Sequence, residues 1–272
     1  MQKNMNQRSY LFVPGDRPER FDKALASGAH AVILDLEDAV SPERKAAARE
    51  AVREWLGHAG EQVILRVNPA STTWFEDDCA LLASGAVRGV MLPKSERHEE
   101  LRALAQRLSG DQILIPLVET VSGFFQMASI AGAPRVQRLA FGSFDFMSDS
   151  GIQGDGAELD AVRTQFVLHS RHAGLLAPID GVSLATHDVA QLEADVRRSR
   201  RWGFGAKLCI HPNQVSAVHQ GFAPTQAETA WARKVVLALA SGPLGAIAVD
   251  GKLVDKPVAM LAQSILDEAQ AS

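Results

Sequence analysis

Cysteine is scarce in this chain. Cys79 and Cys209 are the two among 272 residues, too few and too far apart for a disulfide framework or a close-spaced metal motif. A reducing cytoplasmic compartment is therefore expected. No run of about 18 or more apolar residues occurs, so no membrane-spanning helix is expected. The polar stretch from Met1 to Arg8 lacks the apolar centre of a signal peptide. No one sign of charge dominates: 28 Lys and Arg stand against 32 Asp and Glu, interspersed, with a net charge of −4. That balance argues against nucleic acid or a membrane surface as partner, and leaves room for a small anion held by a few local basic residues. G-x-S-x-G, a P-loop and a dinucleotide fingerprint are all missing, as are low-complexity segments and short internal repeats.

What is present is alternation. Short apolar runs at Tyr10–Val13, Ala31–Asp35, Val63–Val67, Gly89–Leu92, Ile113–Val118, Arg138–Gly142, Ala177–Val182 and Ala206–Ile210 read as strands. Helical patterns separate them: Arg17–Ser27 stopped by Gly28, a helix opened by Ser41-Pro42-Glu43, then Phe75–Ala83, Glu96–Leu108, Ser122–Ile130, Leu159–His172, Asp188–Arg201 and Asn213–His219. Eight β-then-α units favour a closed (β/α)8 TIM barrel over residues 1–222, with right-handed crossovers. Residues 223–272 read as a C-terminal extension. It begins with the capping box Thr225-Gln226-Ala227-Glu228, followed by a hairpin turning at Asp250-Gly251 and a last helix after Pro257. Such an extension is expected to pack on a neighbouring subunit.

The strand-like runs finish on charged residues: Asp35-Leu36-Glu37-Asp38, Arg66-Val67-Asn68, Lys94, Glu119 and Asp145. The carboxyl ends of barrel strands carry the catalytic loops. Glu119 and Asp145, read as closing adjacent strands five and six, can share a hard cation such as Mg²⁺; the alternative is that each caps a helix. Arg66 can clamp a substrate carboxylate or pair structurally with Glu37 or Asp38. Arg17 and Lys23 in the first loop and helix can hold phosphate, although Lys23 also reads as a solvated helix face. Strand alternation places Asp35 and Glu37 on one side and Asp38 on the other, where some of them orient Arg66, Lys94 or metal-bound water. His211 is either a general base or a hydrogen-bonded structural histidine. Gly151-Ile152-Gln153-Gly154-Asp155-Gly156 reads as a mobile loop over the mouth.

These residues sit in wider motifs: Phe12-Val13-Pro14-Gly15-Asp16-Arg17-Pro18, Leu34-Asp35-Leu36-Glu37-Asp38-Ala39-Val40, Leu65-Arg66-Val67-Asn68, Met91-Leu92-Pro93-Lys94, Leu117-Val118-Glu119-Thr120, Phe144-Asp145-Phe146, Ile210-His211-Pro212 and Asp250-Gly251-Lys252-Leu253-Val254-Asp255. Through them the chain resembles the citrate lyase β-subunit-like family of the HpcH/HpaI aldolase superfamily. The resemblance implies a trimer or dimer of trimers, and Mg²⁺ held by Glu119 and Asp145. It also implies a 2-oxo acid bound by Arg66 and the metal. Arg17 and Lys23 would lie near coenzyme A phosphates, with Asp35 counted beside them in the cofactor region. Asp255 would be an acid/base supplied to a neighbouring subunit's site, and Glu37 and Asp38 would be further catalytic candidates. The implied activity is cleavage or formation of a citryl, malyl or citramalyl thioester of coenzyme A or an acyl carrier protein. A coenzyme A-independent aldolase releasing pyruvate, and a non-catalytic subunit of a lyase complex, are the alternatives. The chain departs from the family pattern at Asp149-Ser150-Gly151, in 152–157, and at Leu184-Ala185-Thr186, where relatives commonly carry an acid.

Overall fold

The computed structural model describes residues 7–60, 63–186, 188–241, 247–249 and 251–270. The chain divides into two compact units, Gln7–Val218 and the tail from His219.

The first unit is a closed barrel of eight strands in chain order: β1 (Ser9–Pro14), β2 (Ala31–Asp35), β3 (Val63–Arg66), β4 (Val87–Leu92), β5 (Ile113–Val118), β6 (Ala140–Phe141), β7 (Ile179–Asp180) and β8 (Ala206–Cys209). Every neighbouring pair is parallel, and β1 closes on β8 through Tyr10 opposite Leu208. Alternate residues turn inward, so Tyr10, Ile33, Ile64, Met91, Ile115, Ile179 and Leu208 belong to one buried cluster inside the barrel. Gly89 is required where β4 meets β5, because a Cβ there would stand 2.5 Å from Ile113 Cγ1 and 2.7 Å from the Ile113 carbonyl oxygen.

The helices are α1 (Phe21–Leu25), α2 (Lys45–Leu56), α3 (Phe75–Cys79), α4 (His98–Ala105), α5 (Val121–Phe125), α6 (Met127–Ala131), α7 (Ser143–Ser150), α8 (Asp160–His172), α9 (Val189–Trp202) and α10 (Gln214–Phe222). Several are shorter than their sequence patterns suggest. The expected helix from Arg17 divides into a 3₁₀ turn, Pro18–Arg20, and α1, and Gly28 follows at φ 80°. Ser41 is extended and precedes Pro42, as a cap should, yet makes no side-chain capping bond. Asp188 does cap α9, accepting from the Gln191 amide at 3.0 Å.

β6 and β7 are the largest departures from the expected strands. The carbonyls that follow them are spent elsewhere, that of Gly142 on the Phe146 amide at 3.0 Å. Gly142 already caps α7, and the Gly181 carbonyl accepts from Lys207 Nζ at 2.7 Å. Asp145 therefore does not close a strand. It sits in the first turn of α7, where a carboxylate is favoured by the helix dipole.

In the tail unit, α11 (Gln226–Ser241), β9 (Ile247–Val249), β10 (Lys252–Val254) and α12 (Lys256–Gln270) follow. The capping box forms in full: the Glu228 amide donates to Thr225 Oγ1 at 3.1 Å, and the Thr225 amide donates to Glu228 Oε2 at 2.7 Å. β9 and β10 pair antiparallel, with Val249 opposite Lys252. The expected turn residue Asp250, and Gly245 and Ala246 of the expected strand, lie outside the described residues, as does the polar start before Gln7. Ala232, Val235, Val249, Val254 and Ala262 form this unit's own core. Among the described residues no helix is long and apolar enough to cross a membrane.

Candidate active site at the barrel mouth

The carboxyl ends of β2, β3, β4 and β5 bring most of the expected charges together. Arg66, the last residue of β3, donates from Nε to Asp35 Oδ1 at 2.7 Å and from Nη2 to Asp35 Oδ2 at 2.5 Å. Its Nη1 faces Glu37 Oε2 at 2.9 Å, off the angle of a hydrogen bond. The structural partners are thus Asp35 and Glu37, not Asp38. Asp35 also accepts from the amides of Glu37 and Ala39, which bends the chain out of β2 immediately after it. Strand alternation therefore does not govern Glu37 and Asp38. They lie beyond the strand, Glu37 buried at 3% exposure and Asp38 open to solvent. The Arg66 guanidinium lies over the Phe12 ring, 4.6 Å from its centroid. Burial pulls the guanidinium's pKa down, but Asp35, Glu37 and Glu119 outweigh it and hold it above its ordinary value.

Lys94 is the hub of the opposite side. It has φ 46°, in the left-handed region that a side chain enters at a cost. In that conformation its amide donates to Glu119 Oε1 at 2.8 Å, while its Nζ donates to Glu37 Oε1 at 2.8 Å. Its Nζ also lies 3.9 Å from Asp145 Oδ2 and 4.0 Å from Asp38 Oδ2. Burial lowers the lysine pKa, but the Glu37 bond and the surrounding carboxylates raise it overall. Glu119 is 3% exposed. Burial, with Glu37 and Asp145 nearby, pushes its carboxyl up to about 8. Gly142 is tight against this carboxylate: a Cβ there would stand 2.5 Å from Glu119 Oε2.

A pocket of about 120 Å³ opens beside these groups, lined by Arg66, Glu119, Asp145 and Asp38 above an apolar surface that includes Phe12, Leu117 and Val182. A raised carboxyl beside further acids is a surplus of negative charge that a divalent cation would relieve. Among the described residues no group of three or more His, Cys, Asp or Glu forms a ready-made metal cage. Mg²⁺ needs none, since it keeps several waters and commonly takes one or two carboxylates. The Glu119–Asp145 donor set fits such an ion.

Other expected residues are placed differently. Arg17 and Lys23 are exposed, in the loop after β1 and in α1. His211 follows β8 and accepts from the Asn213 amide at Nδ1 at 3.2 Å, a structural turn contact. Asp255 belongs to the tail unit, where its Oδ1 accepts from the Val258 amide at 3.2 Å and caps α12.

Several neighbours escape a strand-end reading. Lys45 on α2 donates to the Leu36 carbonyl at 2.7 Å and the Glu37 carbonyl at 2.8 Å, fixing the bend that presents Glu37. Ser143 is 1% exposed, and its Oγ has no hydrogen-bond partner. Outside the barrel wall, Asp180 accepts from Arg163 Nε at 3.1 Å and from Ser199 Oγ, with Lys207 Nζ 3.6 Å away. Burial would raise the Asp180 pKa, but the two cations and Ser199 hold it below its ordinary value. Arg163 also donates to Asp155 at 2.5 Å, tying the glycine-rich 151–156 segment to α8. The detectable signal was Lys207 itself, a cation inside an apolar strand run, which requires a buried partner.

A parallel barrel that gathers acids, an arginine and a lysine at its carboxyl ends is the architecture of a barrel enzyme. A family model described as HpcH/HpaI aldolase/citrate lyase matches residues 8–212, and the chain belongs to that family. A crystal structure of CitE from Mycobacterium tuberculosis in complex with magnesium, acetoacetate and coenzyme A superposes with a TM-score of 0.87 at 35% identity, covering 98% of this chain and 99% of that one. A citrate lyase β subunit from M. tuberculosis complexed with oxaloacetate and magnesium has a TM-score of 0.72 at 34% identity, covering 82% and 100%. A (3S)-malyl-CoA thioesterase of Cereibacter sphaeroides is 32% identical over 272 residues, covering 97% of this chain and 95% of its own.

Proposed function

We propose that the protein is a Mg²⁺-dependent carbon–carbon lyase that cleaves, or forms, a short 3-hydroxyacyl thioester, yielding an acyl thioester and a 2-oxo acid. The observation that carries this reading is the make-up of the mouth: the buried Glu119 carboxylate, Asp145 and Arg66 line one pocket at the carboxyl ends of the barrel strands. A pocket built this way is short of one hard cation and has one guanidinium for an anionic substrate. The complexes of the mycobacterial relatives with magnesium, coenzyme A and oxo acids support it.

Glu119 and Asp145 are the proposed metal ligands. Mg²⁺ bound there supplies Lewis-acid stabilisation of the negative charge that develops on the substrate hydroxyl oxygen. Arg66 is the proposed contact for the substrate carboxylate, through the Nη1 and Nη2 hydrogens that its pairing with Asp35 leaves, with Asp35, Glu37 and Phe12 fixing its plane. Lys94 holds Glu37 and the backbone of the Glu119 site in register. In the cleavage direction a base takes the hydroxyl proton, the C–C bond breaks, and its electron pair leaves on the thioester fragment as an enolate. That fragment is then protonated. Asp255 of a neighbouring copy is the proposed acid/base, and Arg17 and Lys23 are proposed contacts for coenzyme A phosphates. A homotrimeric, cytoplasmic protein suits this reading. The exposed Leu237, Leu253, Met260 and Leu261 of the tail unit support its packing on another subunit.

The test is turnover with Mg²⁺ on malyl-, citramalyl- and citryl-CoA, following 2-oxo acid and free thiol separately. Metal-dependent release of a 2-oxo acid, lost in Glu119→Ala, supports the lyase. The thioesterase relative favours a second reading, hydrolysis of the thioester, and release of thiol without a 2-oxo acid would establish that instead. Silence on all three substrates from folded, Mg²⁺-loaded protein would overturn both.

A further inference from the structure

Glu119 and Asp145 belong to different elements. Glu119 follows β5 and precedes Thr120, the N-cap of α5, whereas Asp145 lies in the first turn of α7. Their spacing depends on how α7 is held against the start of α5. A hydrogen bond joins the two. Asp149 stands one helical turn beyond Asp145 on α7, and its Oδ2 accepts from the Val121 amide at 2.7 Å. Val121 is the first residue of α5, with Thr120 alone between it and Glu119. In its own helix Asp149 is misplaced. α7 ends at Ser150, closed by Gly151 at φ 77°, and a carboxylate in the last turn opposes the helix dipole. At the start of α5 the same charge meets an amide that has no intrahelical acceptor.

Thr120 has little freedom to absorb a shift at Val121. Its Oγ1 accepts from the Gly123 amide at 3.0 Å and donates to Glu96 Oε1 at 2.8 Å. The two helices also touch through Phe124 and Phe146, ring centroids 5.8 Å apart. An apolar contact of this kind holds helices together without fixing how far one slides along the other; a directional bond fixes it. We propose that Asp149 is a positioning residue: by tying α7 to the Val121 amide it sets the spacing of the Glu119 and Asp145 carboxylates for a small cation of strict geometry. This rests on the metal-ligand reading above and deepens it. Asp149 is exposed and does not line the pocket, so it acts through that bond.

Mg²⁺ demands short bonds in near-octahedral geometry, whereas Ca²⁺ accepts longer and irregular ones. Calorimetric titration of the full-length protein with each cation therefore reads spacing, which loss of stability alone would not move. Asp149→Ala should weaken Mg²⁺ binding by about tenfold or more and Ca²⁺ binding by much less, so the preference for Mg²⁺ falls. Val121→Pro removes the same bond from the donor side, at the first position of a helix and after an extended residue, where proline is accommodated. It should reproduce the loss. Asp149→Asn keeps an oxygen for the Val121 amide without the charge, and should retain most of the wild-type affinity and preference. Far-ultraviolet circular dichroism checks the fold of each variant. Wild-type Mg²⁺ affinity in Asp149→Ala or in Val121→Pro, an equal loss for both cations, or an asparagine variant as weak as the alanine one would each overturn the inference with the metal-ligand reading intact. Wild-type protein that binds no Mg²⁺ would remove that reading, and this inference with it.

Discussion

Glu119→Gln should stabilise the metal-free protein at alkaline pH and abolish its stabilisation by Mg²⁺. In the fold the Glu119 carboxyl is pushed from an ordinary value near 4.5 up to about 8. The folded state therefore holds a proton there that the unfolded chain has released, across roughly pH 4.5 to 8. Stability falls with rising pH wherever the folded state binds more protons. The cost is absent below about pH 4.5 and complete above about pH 8. Its upper limit is about 5 kcal/mol, and relaxation of the pocket around the charge brings the expected value to about 2–3 kcal/mol. Glutamine keeps an oxygen for the Lys94 amide and is neutral at every pH. Urea unfolding in EDTA should show the variant more stable than wild type at pH 8.5, and near-equal at pH 5. Adding Mg²⁺ at pH 8.5 should stabilise wild type and leave the variant unmoved. A variant destabilised to the same degree at both pH values, or stabilised by Mg²⁺ as much as wild type, refutes the reasoning.

Gly142→Ala introduces a Cβ 2.5 Å from Glu119 Oε2, so Mg²⁺ affinity measured calorimetrically should drop by at least about tenfold, with far-ultraviolet circular dichroism unchanged. Asp180→Asn leaves Arg163 and Lys207 buried against a neutral partner; chemical unfolding should show a loss of about 3 kcal/mol or more, while Mg²⁺ affinity of the folded protein stays within twofold or so. Thr225→Ala removes the N-cap oxygen of α11 and should cost about 1 kcal/mol in the same assay, without altering binding of an oxo acid.

Which features the sequence revealed follows from how local their causes are. The eight strands were legible because an apolar run bounded by polar residues has one use in a β/α repeat, and Glu119 and Arg66 because each ends such a run. Asp145 was found by its chemistry and misplaced by its neighbours. Arg138 to Gly142 looks like a long strand, yet Gly142 turns the chain into α7 and puts Asp145 in its first turn. The carboxylate reaches the pocket from a helix terminus, so its position depends on α7 as well as on the barrel. The role of Lys94 in holding Glu119 is a backbone effect, set by φ 46° and carried by an amide that no side-chain pattern records. The Arg163–Asp180–Lys207 network joins residues far apart in the chain and outside the barrel wall, where only Lys207 hinted at a partner.

These differences divide the charges by task. Inside the mouth, burial, with Glu37 and Asp145 nearby, holds Glu119 above its ordinary pKa. Outside the wall, Asp180 stays below its own because Arg163 and Lys207 both serve it. The second arrangement is electrostatically complete without a ligand and can only support the fold. The first gathers Asp38, Glu119 and Asp145 around one pocket and leaves a surplus of acids. That surplus of negative charge is what the proposed Mg²⁺ would relieve. The Mg²⁺ dependence of the Glu119→Gln comparison tests that reasoning directly.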